Sequence, residues 1–178
     1  MVKASQEFEP MIHVCSFARL HSTVKTTGAR HVVTLLGVED RFERPPGIAE
    51  RNHLCLRVHD ICEPLDGYVT PDATHVEDLI RFVRDWDRAA PLVVHCWAGI
   101  SRSTAAAFVS VCALRPERDE QEIAWAIRRA SPTATPNSRI VSFADELLDR
   151  NGRMIAAVAA IGRGMLAEEG VPFRLDLQ

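Results

Sequence analysis

The chain has 178 residues, a hydrophobic fraction of 47% and a charged fraction of 25%, the proportions of a globular protein able to bury a full core. Its net charge of −3 gives no electrostatic case for nucleic acid or an anionic membrane as partner, and no apolar stretch is long enough to span a bilayer. The five cysteines, odd in number and set mostly in apolar runs, argue for a reducing compartment rather than a disulfide framework; with no apolar signal core at the N-terminus, a cytoplasmic location is expected.

Strand and helix patterns alternate from the start. Met11 to Cys15 reads as a short strand, Phe17 to Thr26 as a modest helix ending near Gly28, and His31 to Leu36 as a stronger strand closed by Gly37. Glu39 to Arg51, with Pro45-Pro46-Gly47, is a charged loop. Asn52 to Val58 alternates Leu54, Leu56 and Val58 against polar neighbours and reads as a third strand; Asp60 to Tyr68, holding Pro64 and Gly67, is a loop. Thr70 as N-cap and Pro71 at the first helical position open a helix running to about Arg88, with Val76, Leu79, Ile80, Val83 and Trp86 as its apolar stripe.

Leu92-Val93-Val94 is a wholly apolar strand of the kind buried in a parallel sheet, and Ser101 to Leu114 an Ala-rich helix. Between them lie Cys96 and Arg102, separated by five residues that include Gly99. Successive N–H groups in such a turn, Trp97, Ala98, Gly99, Ile100 and Ser101, form an anion-binding nest reinforced by the helix N-terminus. Arg102 adds a planar fork for two phosphate oxygens, and the positive surroundings favour Cys96 as thiolate. A nucleophile at the floor of a phosphate cradle is a site for attack on phosphorus. The bland alternative is an inert buried thiol in a strand–helix turn.

After Arg115-Pro116, Asp119 to Ala130 reads as a short helix, residues 131–136 as a turn, and Asn137 as the start of a helix carrying Ile140, Val141, Phe143, Leu147 and Leu148. Gly152 breaks it. Met154 to Leu166 is read as one more helix despite its two glycines, and the tail from Gly170 as loosely held. The order predicts an α/β fold in one domain, residues 1–178, with a four- or five-stranded, mainly parallel central sheet flanked by helices, a core over about 10–150 and a C-terminal helix near 153–167.

His95-Cys96, five residues, then Arg102-Ser103, with the apolar strand before and the Ala-rich helix after, resembles the signature of cysteine-based protein tyrosine phosphatases, particularly the compact dual-specificity-like branch. The resemblance covers roughly residues 10–150. It implies hydrolysis of a phosphomonoester through a phosphocysteine on Cys96, with Arg102 holding the phosphate, no cofactor, and a phosphorylated protein or small phosphate ester as partner. It also implies an Asp general acid from a loop before the cysteine, because an aryl or alkyl oxide leaves poorly without a proton. Asp60 fits that position, at the carboxyl end of a strand where open α/β sheets bind ligands. Asp66, beside Gly67, and Asp72, in a helix first turn, compete, although each has a local structural explanation.

Further roles follow from the same resemblance. His95 corresponds to a buried histidine that fixes the turn and favours the thiolate, which scarcely differs from a satisfied core histidine. Ser103 is placed to hydrogen-bond the thiolate, or is an ordinary first-turn serine, with equal weight. Asn137 after Pro136 either caps a helix, the preferred reading, or braces the phosphate loop. The seven histidines show no metal-ligand spacing, so no metal is expected. Cys62 reads as a buried structural thiol in preference to a disulfide partner of Cys96. Trp97 faces a neighbouring element or lines the pocket wall, and Tyr68 and Phe42 are loop aromatics that do not make an obvious phosphotyrosine clamp. Alternative functions are a non-catalytic phosphate-binding module, or a phosphatase for a phosphoinositide or other small ester; the lack of Lys or a second Arg within residues 97–101 ranks the last lower.

Overall fold

The computed structural model describes residues 10–178. Strand β1 (Met11–Ser16) leads through a short 3-10 turn into α1 (Leu20–Thr27), β2 (His31–Leu36), β3 (His53–Arg57), α2 (Ala73–Asp85), β4 (Leu92–Cys96), α3 (Arg102–Leu114), α4 (Glu120–Ala130), α5 (Ser138–Leu147), α6 (Arg153–Ile161) and β5 (Phe173–Asp176). The five strands form one sheet in the order β3-β2-β4-β1-β5, with the first four parallel and β5 antiparallel to β1. This is the mainly parallel α/β architecture expected from the alternation of elements.

Strand periodicity divides the core between the two faces. Ile12 and Val14 of β1, Val33 and Leu35 of β2, and Leu92, Val94 and Cys96 of β4 join the larger cluster with α2 to α6. The intervening Cys15, Val32 and Val93 pack instead with Leu20, Val24, Ala29 and Ile48 beneath α1. Helix α3 is buried along nearly its whole length, which explains its small and apolar sequence.

Four boundaries differ from the sequence reading. Helix α2 is capped by Asp72 rather than Thr70: the Asp72 carboxylate accepts from the His75 backbone N–H at 3.1 Å, and the His75 ring accepts from the Asp72 backbone N–H at 3.3 Å. It also ends at Asp85, with Trp86 already extended, so the stripe stops before Arg88. Helix α6 ends at Ile161, where Gly162 takes φ 61°, and the chain onward to Gly170 is not helical. The tail is not loose, for β5 adds an edge strand with Phe173, Leu175 and Leu177 turned inward and Arg174 and Asp176 outward. Among the described residues no helix is long and apolar enough to cross a membrane.

Candidate active site

Cys96 ends β4 on the α3 side of the sheet, and its Sγ lies 3.1 Å from the Ser103 Oγ in the first turn of α3. The chain between them is held by its carbonyls. The Trp97 oxygen accepts from the Phe17 N–H (3.1 Å), Ala98 from Gly170 (2.8 Å), Ile100 from Thr135 (2.9 Å) and Ser101 from Asn137 (3.2 Å). None of the N–H groups of residues 97–101 donates to another described residue. A turn with its carbonyls engaged outward and its amides unspent is the nest the spacing predicts. Gly99 is required there: its φ is 71°, and a Cβ would stand 2.8 Å from the backbone of Cys15 and Ser16.

Arg102 is buried, donates from one terminal nitrogen to the Val58 carbonyl at 2.8 Å, and leaves its Nε buried without a partner. It makes no ion pair with a described residue. The Val58 contact orients the guanidinium from the strand end that also launches the Asp60 loop.

Asp60 reaches the cradle directly. Its Oδ1 accepts from the Ser101 hydroxyl at 2.7 Å and from the Asn137 side-chain N–H at 3.0 Å. The Asn137 Oδ1 accepts from the Arg139 and Ile140 N–H groups and caps α5, while its Nδ2 donates to Asp60. The loop carrying Asp60 is closed at its base by paired contacts between His59 and Val69, and Arg139 grips it through the Pro71 and Cys62 carbonyls. Asp66 occupies the turn from Leu65 to Tyr68, with Gly67 at φ 83°, and Asp72 is spent on its cap.

On the other face of the sheet, the His95 Nε2 meets the Thr34 hydroxyl at 2.7 Å, and the same oxygen meets the His53 Nε2 at 2.8 Å. One hydroxyl has one hydrogen, so it donates to one imidazole and accepts from the other, fixing complementary tautomers. Burial pushes His95 down to about 3, helped by His53 and Arg102 against a backbone contact with Cys96; burial and Arg44 push His53 down to about 4. Both rings stay neutral near pH 7, so His95 acts on the loop through position and hydrogen bonding rather than through charge. Thr34 and His53 escaped the sequence reading because only strand register brings them to His95.

The remaining residues divide clearly. Trp97 is more than half exposed and packs on Phe17, centroid to centroid 5.7 Å, while Phe17 also stacks on His95 at 6.1 Å. Tyr68 sits edge-on to His59 at 4.9 Å, and Phe42 lies under the Arg57 guanidinium. Cys62 is exposed and accepts from the Ser138 hydroxyl at 3.3 Å, which corrects its reading as a buried thiol: past the end of β3 no apolar layer covers it. Among the described residues no cluster of His, Cys, Asp and Glu fits a metal ion.

Residues 49–133 match the protein-tyrosine phosphatase family model. The crystal structure of DUSP15 is similar with a TM-score of 0.62 at 18% identity, covering 86% of this chain and 95% of that one. Human DUSP28 follows at 0.59 and 17%, covering 79% and 92%, and the human tyrosine phosphatase-like serine/threonine/tyrosine-interacting protein at 0.59 and 16%, covering 80% and 98%. No curated protein matches the chain in sequence. The chain thus resembles the protein-tyrosine phosphatase family over residues 49–133, and it shares the fold of the compact dual-specificity phosphatases. The two likenesses support a phosphatase-type function.

Proposed function

We propose that the chain hydrolyses phosphomonoesters of the phosphotyrosine or dual-specificity type through a phosphocysteine on Cys96. The Cys96 thiolate attacks phosphorus in line, forming an S–P bond as the ester P–O bond breaks. Arg102 and the loop amides hold the equatorial oxygens, whose charge is spread in the transition state. Asp60, as the acid, gives its proton to the departing oxygen. As carboxylate it then takes a proton from the water that attacks phosphorus, and the S–P bond breaks to return the thiolate, which the Ser103 hydroxyl stabilises.

The observation that carries this reading is the 2.7 Å hydrogen bond from Ser101 to Asp60. A module that only bound phosphate would need the nest and Arg102, but not a carboxylate held at the mouth of the cradle, where it repels the ligand unless it carries a proton. The free state of all five cysteines supports work in a reducing compartment such as the cytoplasm. The test is hydrolysis of an aryl phosphate by the full chain and by its Cys96→Ser variant. Turnover by the former and none by the latter is expected; equal turnover by both, or binding of inorganic phosphate without turnover by either, overturns the proposal.

A further inference from the structure

Helix α6 is followed by a strap that runs back along the candidate site. Arg128 holds its start through the Ile161 and Gly162 carbonyls at 2.7 and 2.9 Å, the Gly164 N–H donates to Thr135 Oγ1 at 3.0 Å, and the Met165 N–H donates to the Pro132 carbonyl at 2.9 Å. Its far end is the Gly170 N–H on the Ala98 carbonyl of the phosphate loop. At Gly164 the approach is so close that a Cβ would lie 2.5 Å from the Thr133 carbonyl. The backbone is therefore fixed, yet it presents Met165 and Leu166 to water, 70% and 95% exposed.

These two side chains line a groove of about 510 Å³ together with Asp60, Ser101 and Asn137. Exposed apolar residues collect on this rim. Of the nine large ones among the described residues, Trp125 and Ile155 lie on helices, and the other seven sit in the loops and strap at the carboxyl ends of the strands. Apolar side chains held out on a pinned backbone beside a charged site mark a binding surface. The charged lining of this groove is one acid, Asp60, and one base, Arg163, and Glu169 beyond it is paired with Arg19 at 3.5 Å. That lining holds no cluster of basic side chains of the kind that draws an anionic bilayer, whereas a protein segment carrying an apolar side chain needs none.

We infer that the groove between Asp60 and the strap receives an apolar side chain flanking the phosphorylated residue of a protein substrate, with Met165 and Leu166 as specificity-determining residues. The inference rests on the phosphatase reading for its register, since Asp60 and Ser101 belong to both sites. The strap lies beyond the segment that matches the family model, so this preference is a property of this chain's own C-terminal region.

The experiment compares phosphopeptides that differ only in one residue near the phosphoresidue, Leu, Ala or Glu, with p-nitrophenyl phosphate as a probe that cannot reach the groove. A pocket that gains one apolar side chain discriminates by about tenfold, so the full chain should prefer Leu over Ala by about that factor in kcat/KM, through KM. Met165→Ser with Leu166→Ser should abolish the preference and leave p-nitrophenyl phosphate turnover unchanged. The Cys96→Ser protein, titrated with the same peptides, should show the same order in Kd, so the groove is read even where turnover is absent and a failure of the catalytic proposal stays separate. Absence of any Leu preference overturns the inference. So does an equal loss on p-nitrophenyl phosphate in the double variant, which would make the strap a brace for the loop. So, too, does a higher rate on an alkyl phosphate in anionic vesicles than on any peptide, lost in the double variant, which would assign the rim to a membrane.

Discussion

Two arginines are buried in this molecule, and they are built in opposite ways. Arg150 donates to the Glu120 carboxylate at 2.9 Å and to the Cys112 and Pro116 carbonyls at 2.7 and 3.1 Å, with Arg153 closing on the same carboxylate at 3.3 Å. Arg102 has one carbonyl, that of Val58, and no carboxylate. Each leaves its Nε buried without a partner. The difference is the compensating charge: the first site is electrically closed, while the second combines a bare guanidinium with a turn of unspent amides. Burying an uncompensated charge costs stability, so a chain that keeps one has a use for it, and here the geometry suits a dianionic phosphate.

Variants that exchange the properties of the two sites break the comparison most directly. Arg102→Lys replaces the fork by a point charge and should lower kcat/KM on an aryl phosphate on the order of 10³-fold while the melting temperature moves by no more than a few degrees. Near-full activity would deny Arg102 its part in the transition state. Asp60→Asn should cost about 10²-fold for phenyl phosphates with poor leaving groups and much less for good ones, because the share of general acid catalysis follows the leaving group's need for a proton. Asp66→Asn, measured alongside, should change neither; the reverse pattern would move the acid to the Leu65–Tyr68 turn.

Glu120→Ala gives the complementary result. It strands Arg150 and should cost about 3 kcal/mol in urea denaturation, with kcat/KM per folded molecule unchanged. The remaining effect is one of pH and comes from the histidine pair behind the loop. His95 and His53, held at about 3 and about 4, refuse protons that the unfolded chain accepts below its ordinary value of 6.5. Their stabilisation is complete above pH 6.5 and is lost as pH falls toward 4, by up to about 1.4 kcal/mol per unit for each ring. Urea midpoints measured from pH 7 down to pH 5 should fall, and His53→Asn should flatten the slope.

The cradle was legible because its strand, turn and helix are contiguous: Val93 to Ser103 carries Cys96, the glycine that passes Cys15, and Arg102 in one short run. Asp60 was legible for a different reason, since parallel strands deliver their ends to one rim and β3 ends just before it. What failed depends on distance in sequence. Thr34 joins His53 to His95 only through cross-strand register, which a single strand's pattern does not encode. Glycines 162 and 164 read as the interior of a helix and Gly170 as the start of a loose tail, whereas Gly162 ends α6, Gly164 is a point of close backbone approach and Gly170 a contact to the phosphate loop. The alternation of Phe173, Leu175 and Leu177 does mark an edge strand, but four residues are too few for the period to stand out from a tail.

The central claim is that Cys96 carries phosphate during turnover. Acid quench of the full chain mixed with an aryl phosphate, followed by peptide mapping, reads this bond directly. The account predicts phosphate on the peptide containing Cys96 and on no other cysteine, accumulating further in Asp60→Asn with a good leaving group, where the second step loses its base. Continuing hydrolysis with no phosphate on Cys96, or with phosphate on another residue, would contradict it.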